Sequence, residues 1–175
     1  LVAVLAFSAT TAFGQKFGRV DLAAVLPNMP EYKEAVANLE TYGMDLQNQL
    51  EQIQVEFNKL YADYEKNAAT YSDSVRQLKE REIMEVQQRY ADFQQIAQQD
   101  IQRKEMELMN PIIEKANEAV KKIAAAAGYL VVFSTTGDRP NSAGLAYFDA
   151  AALTDITAAV KKELGISDTA PAPAK

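Results

Sequence analysis

The chain has 175 residues, 18 of them basic and 24 acidic, for a net charge of −6, and it contains no cysteine, histidine or tryptophan. These absences exclude a disulfide framework, thiolate or imidazole catalysis and the usual Cys/His metal sites. The acidic balance argues against generic attraction to nucleic acid or anionic lipid, and the length suits one domain, or one domain carrying a long projection.

Residues 1–7 are an apolar run, followed by small and hydroxylated residues and by Ala12-Phe13-Gly14. The pattern reads as a signal peptide over 1–14, entered part-way, with cleavage near Gly14/Gln15. A core helix or strand is the competing reading. The run is too short to cross a bilayer, which takes about 20 apolar residues, so no stable membrane insertion is expected. No cysteine follows it to take a lipid anchor.

Residues 15–30 form the first part of a body. Lys16-Phe17-Gly18-Arg19-Val20-Asp21-Leu22 alternates in polarity and predicts a strand. Asp21 suits the N-cap of a short helix reaching Leu26. Pro30 fits the first turn of a new helix, where its missing N–H is not needed.

Residues 31–66 contain no proline and one glycine, Gly43. Apolar residues fall at Leu39, Leu46, Leu50, Ile53, Phe57, Leu60 and Tyr64, stepping by four and three from Leu46 onward. That is a heptad seam on a helix about 54 Å long at ~1.5 Å per residue. A turn is expected in 67–73. Ser74-Val75-Arg76-Gln77 matches a capping box, which starts the return helix near Val75. Its apolar positions are Val75, Leu78, Ile83, Val86, Tyr90, Phe93, Ala97, Ile101 and Leu108.

In an antiparallel hairpin, the numbers of facing residues have a nearly constant sum. The pairs Tyr64/Val75, Phe57/Ile83, Ile53/Val86, Leu50/Tyr90, Leu46/Phe93 and Leu39/Ile101 all add to 139 or 140, with Gly43 opposite Ala97. One register therefore satisfies the seam, and a coiled-coil hairpin over 31–109 follows. Tyr42, Met44, Tyr61, Tyr71 and Met84 lie off or beside the seam. They are either adaptable contact surface for a partner or ordinary packing and scattered surface residues.

Residues 110–165 return to the body. Pro111 is expected to interrupt or kink the helix, and the segment beyond it, to Ala127, to pack on the body and end at Gly128. Tyr129-Leu130-Val131-Val132-Phe133 reads as a strand covered on both faces. Residues 137–141 read as a loop and 144–148 as a further strand carrying Leu145 and Tyr147. Thr154 or Asp155 caps a last helix with Ile156, Val160 and Leu164, closed by Gly165. Residues 166–175, rich in Ala and Pro, read as a disordered tail.

The fold class is thus α+β, a long antiparallel hairpin inserted into a small β body. No catalytic, metal-binding or cofactor-binding residue stands out. The close acid pairs, Glu80/Glu82 and Glu105/Glu107, point to different sides of a helix, and the glycines form no phosphate loop. The chain is not expected to be an enzyme.

Together, the signal, Lys16-Phe17-Gly18-Arg19-Val20-Asp21, the charged hairpin, Gly128-Tyr129-Leu130-Val131-Val132 and Leu153-Thr154-Asp155-Ile156-Thr157 resemble the Skp (OmpH-like) family of periplasmic chaperones. The resemblance implies a homotrimer whose strands build a β-barrel body, with Phe17, Val20, Leu22, Leu130, Val132, Leu145 and Tyr147 on the barrel strands. The hairpins become tentacles around a cavity. The cavity holds unfolded outer-membrane proteins without ATP. The best-known members of that family are basic, and some carry a lipopolysaccharide-binding patch on the tentacles. Here residues 31–127 hold 12 basic against 18 acidic side chains, so that site is not carried over. The rival reading is a structural or adaptor coiled-coil protein of the envelope.

Overall fold

The structure, a computed structural model, describes residues 15–137, 139–140, 147 and 149–166. The expected signal peptide, Leu145 and the tail from 167 onward lie outside the described residues. The fold is α+β and divides into two compact units. One is a body made of Leu1–Met29 and Glu114–Lys175, and the other is a helical hairpin, Pro30–Ile113.

The body is organised by the first strand, β1 (Lys16–Asp21). It pairs in parallel with β2 (Tyr129–Thr136) on one side and β4 (Thr154–Asp155) on the other, while β3 (Arg139–Pro140) adds antiparallel to β2, giving the order β3-β2-β1-β4. Parallel neighbours need a long crossover, and here the whole hairpin supplies it between β1 and β2. Within the expected 137–141 loop, Arg139 and Pro140 instead extend the sheet. Thr136 and Arg139 are paired, and Gly137 sits at φ +57°, in the left-handed region that favours glycine.

Five of the six residues of the first strand have a structural task in the body. Lys16 Nζ lies 4.3 Å from the centre of the Tyr129 ring and donates to the Ala127 carbonyl at 3.2 Å. Gly18 leaves room for that ring. The Arg19 guanidinium donates to the Gly137 carbonyl at 2.8 Å and pairs with Asp155 at 3.2 Å, so it ties the end of β2 to β4. Val20 is buried in the core. Asp21 accepts from Ala24 N–H at 3.1 Å with one oxygen and from Gly137 N–H at 2.7 Å with the other.

That carboxylate also explains the first correction. Leu22, expected at the end of the strand, opens α1 (Leu22–Val25), because the Asp21 cap starts a helix there. A second correction concerns β2. It is not covered on both faces of this chain, since Leu130 is 62% and Val131 39% exposed. Tyr147 lies outside any strand and is 80% exposed.

The core gathers Val20, Val25, Ala119, Ile156 and Val160, with Val120, Ile123, Tyr129, Val132, Leu164 and Ile166 packed around them. Helix α4 (Thr157–Glu163) begins where the Asp155 carboxylate accepts from Thr157 N–H at 2.9 Å. It ends in a Schellman motif: Gly165, at φ +70°, donates to the Lys162 carbonyl and Ile166 N–H to that of Lys161. The tail expected from 166 onward therefore starts one residue too early, because Ile166 belongs to the cap and the core.

The hairpin consists of α2 (Pro30–Asn67), a short 3-10 turn at Ala68–Thr70, and α3 (Asp73–Ala127). The return helix opens two residues before the expected start. Ser72, not Ser74, takes the capping role, its Oγ accepting from Val75 N–H at 3.4 Å. Pro111 does not interrupt α3, which runs on as a 55-residue helix. Proline forfeits one backbone bond inside a helix, and Ile112 and Ala116, both buried just beyond it, hold the segment helical. Among the described residues, no helix is long and apolar enough to cross a membrane.

Candidate binding surface

The hairpin seam is the base on which any surface of this unit rests. Leu46 and Val86 are buried, and Leu39, Leu50, Ile53, Phe57, Ile83, Tyr90, Phe93 and Ile101 are half-buried. Polar residues, Gln and Glu chief among them, fill most intervening positions, which keeps the outer faces solvated.

Among the described residues, polar bonds that cross between the arms include two at mid-length and near the tip. Arg89 pairs with Glu56, and the Tyr64 hydroxyl donates to the Glu80 carboxylate. The residue numbers of these pairs add to 145 and 144, about five more than the proposed seam sums. The tilt of Cα–Cβ bonds toward the helix N-terminus accounts for the offset. Side chains of α2 lean toward the base and those of α3 toward the tip, so long side chains meet from offset levels. Counted from the seam, Glu56 and Arg89 are both g positions, the pairs that flank a coiled-coil interface.

The bonds leave electrostatic marks. The hydrogen bond to Glu80 raises the Tyr64 phenol. The bond from Arg89 holds the Glu56 carboxyl below its ordinary value. At the tip, Tyr71 is raised first by desolvation and then by its bond to Asp63, at 3.1 Å. Asn67 donates to the other Asp63 oxygen at 2.8 Å, so the turn satisfies its own polar groups.

The five residues singled out for partner contact fall into two sets. Met44, Tyr61 and Met84 are 51%, 46% and 60% exposed, although Tyr61 also stacks on Phe57 with centroids 6.0 Å apart. Tyr42 and Tyr71 are half-buried and offer little free surface. Sequence reasoning missed Val36, Val55, Ile96 and Met106, all more than 40% exposed, and Ile113, expected to pack on the body beyond Pro111, is 40% exposed. It also placed Leu78 in the return-helix apolar pattern, yet Leu78 is 50% exposed. Projecting every apolar residue of the arms around the helix axis, and not only those in step with the seam, is the signal that finds them.

Two shallow depressions flank the Glu56–Arg89 pair. Val55 and Leu60 line the one on α2, and Phe93 and Ile96 the one on α3. Among the described residues, no group of three or more acidic side chains is arranged to hold a metal. The chemistry on offer is broad, shallow and adhesive.

The family model described as outer membrane protein (OmpH-like) matches residues 16–164. The chain belongs to the OmpH-like family. OmpH-like relatives named chaperone protein Skp include one from Photorhabdus laumondii, 27% identical over 73% of this chain and 78% of its own length. Another, from Pectobacterium atrosepticum, is 25% identical over 92% of both chains. A third, from Yersinia enterocolitica, is 28% identical over 85% of both. OmpH-like proteins are chaperones and not enzymes.

Proposed function

We propose that this protein is an ATP-independent holdase of the periplasm, which binds unfolded outer-membrane proteins and prevents their aggregation. The observation that carries the reading is the dispersal of exposed apolar side chains, among them Met44, Val55, Tyr61, Met84, Ile96 and Met106, along two solvated arms. A holdase that releases its client without an energy source needs many weak, adaptable contacts and no deep pocket. Methionine suits that task because its flexible thioether fits surfaces of many shapes.

Three copies are proposed to assemble through their bodies, with Phe17, Val20, Leu130 and Val132 on the strands of a shared barrel and the hairpins enclosing a cavity. Two features support assembly. The exposed Leu130 and Val131 leave an apolar strand surface open in the single chain. The body core is small: among the described residues its buried cluster holds five apolar side chains, in a chain that also builds a 38-residue and a 55-residue helix. The export reading rests on the signal-like residues 1–14.

Dilution of a urea-unfolded outer-membrane barrel protein into the purified protein without ATP tests the reading. A soluble co-eluting complex is expected, with sedimentation of the free protein as a trimer. A spacer or adaptor would leave the barrel protein to precipitate.

A further inference from the structure

Resting on the holdase reading, the two depressions beside Glu56 and Arg89 say more about which chains would bind. They lie to either side of one bridge between the arms, because Glu56 lines one, Arg89 lines the other, and the two side chains are bonded. Their apolar parts are Val55, 42% exposed, Ile96, 51% exposed, and the half-buried Leu60 and Phe93.

The rim is acidic. Arg89 and Glu56 neutralise each other, which leaves Glu51, Glu85 and Asp92 against the single ammonium of Lys59. The wider unit has the same sign. Pro30–Ile113 holds 9 basic and 16 acidic residues, a net of −7, whereas the rest of the chain is at +1. The excess negative charge is thus a property of the arms.

We infer that this surface of the hairpin seats unfolded segments in which apolar residues are flanked by lysine or arginine. The apolar floor supplies contact area. The carboxylate rim selects the sign of the flanking charge, since complementary charge speeds encounter and like charge opposes it. Acidic flanks of the same apolar segment meet net repulsion there.

Two peptides with one apolar sequence, flanked by lysines in one and by glutamates in the other, test this against the full protein by fluorescence anisotropy. At low salt the lysine form binds about tenfold tighter, a preference that shrinks as salt screens it. A Glu51→Gln/Glu85→Gln/Asp92→Asn variant that keeps its helical circular dichroism loses the preference, and Ile96→Gln weakens both peptides. Equal binding of the two peptides to the wild type, or a preference that survives in the triple variant, overturns the inference. So does a shift in oligomeric state in the Ile96→Gln variant with peptide binding intact, which would assign the surface to contact between copies. Intact aggregation suppression without charge preference sinks this inference alone. Loss of suppression in the wild type sinks the holdase reading itself.

Discussion

The ring of Tyr129 stands where a side chain on Gly18 would project: a Cβ there would lie 3.1 Å from both Cδ1 and Cε1 of the ring and 3.4 Å from the Thr154 carbonyl oxygen. Gly18 is in the first strand, Tyr129 opens the second, and Thr154 is in the strand on the other side. The missing Cβ lets the ring lie beside the first strand, with the Lys16 ammonium 4.3 Å from its centre. Gly18→Ala pushes the ring outward and lowers stability by about 1 kcal/mol, and Gly18→Val by about 2–3 kcal/mol, in the range of overpacking at a close contact. Thermal melts of the three proteins at one concentration check the order.

Gly43 gives the opposite expectation. The register places it opposite Ala97, which suggests a close approach of small residues, but a Cβ added at Gly43 meets nothing within 4 Å. It is a helix-interior glycine with no packing reason to be there. Gly43→Ala therefore stabilises the hairpin, by about 0.5–1 kcal/mol from helix propensity, and raises the melting temperature. A drop would mean that assembly brings another surface against this position.

The seam register is tested by cross-linking, which the absence of native cysteine makes clean. Phe57→Cys with Ile83→Cys faces two thiols across one level of the proposed seam and forms an intrachain disulfide on oxidation. Phe57→Cys with Phe93→Cys sets them about 15 Å apart along the arms, at ~1.5 Å per residue, beyond the reach of a disulfide. Gel mobility under non-reducing conditions reads the result. Efficient intrachain linkage of the second pair would overturn the register.

Asp155 links body stability to pH. Burial pushes its carboxyl up, but the hydroxyl and amide of Thr157 and the Arg19 charge outweigh that and hold it below the ordinary aspartate value. The folded state therefore favours the ionised form. The resulting stability is present above the unfolded-state pKa and is lost as pH falls through the lower folded one. The gap in melting temperature between wild type and Asp155→Asn is expected to be full near neutral pH and to close below about pH 4. A gap that does not change with pH would remove the carboxylate from the account.

Much of the fold can be read from local rules. The Asp21 cap, Pro30 at a helix start and Gly128 and Gly165 at helix ends each follow from one residue's backbone chemistry. The seam follows from the spacing of residues such as Leu46, Leu50 and Ile53. The misses came where two local signals competed or where partners are distant in sequence. Ser72 and Ser74 are both competent caps, and Ser72 opens the helix. Pro111 signals a break, yet the helix continues through it, with Ile112 and Ala116 buried just beyond. The parallel pairing of Phe17 with Val131, across more than a hundred residues, leaves no mark on local sequence. The candidate surface is half legible: Met44, Tyr61 and Met84 stand open as expected from their places beside the seam, whereas Val55 and Ile96, single β-branched residues outside the seam steps, carry no seam spacing that marks them.

The central claim is that exposed apolar side chains on the arms hold an unfolded outer-membrane barrel protein, and light scattering after urea dilution of such a client tests it most directly. The wild type at stoichiometric amounts should keep scattering near the buffer baseline, and a variant with Met44, Val55, Met84, Ile96 and Met106 all changed to Gln, still helical and assembled, should let it rise toward that of the client alone. Scattering equal to that of the client alone in the presence of the wild type, or full suppression by the variant, would contradict the account.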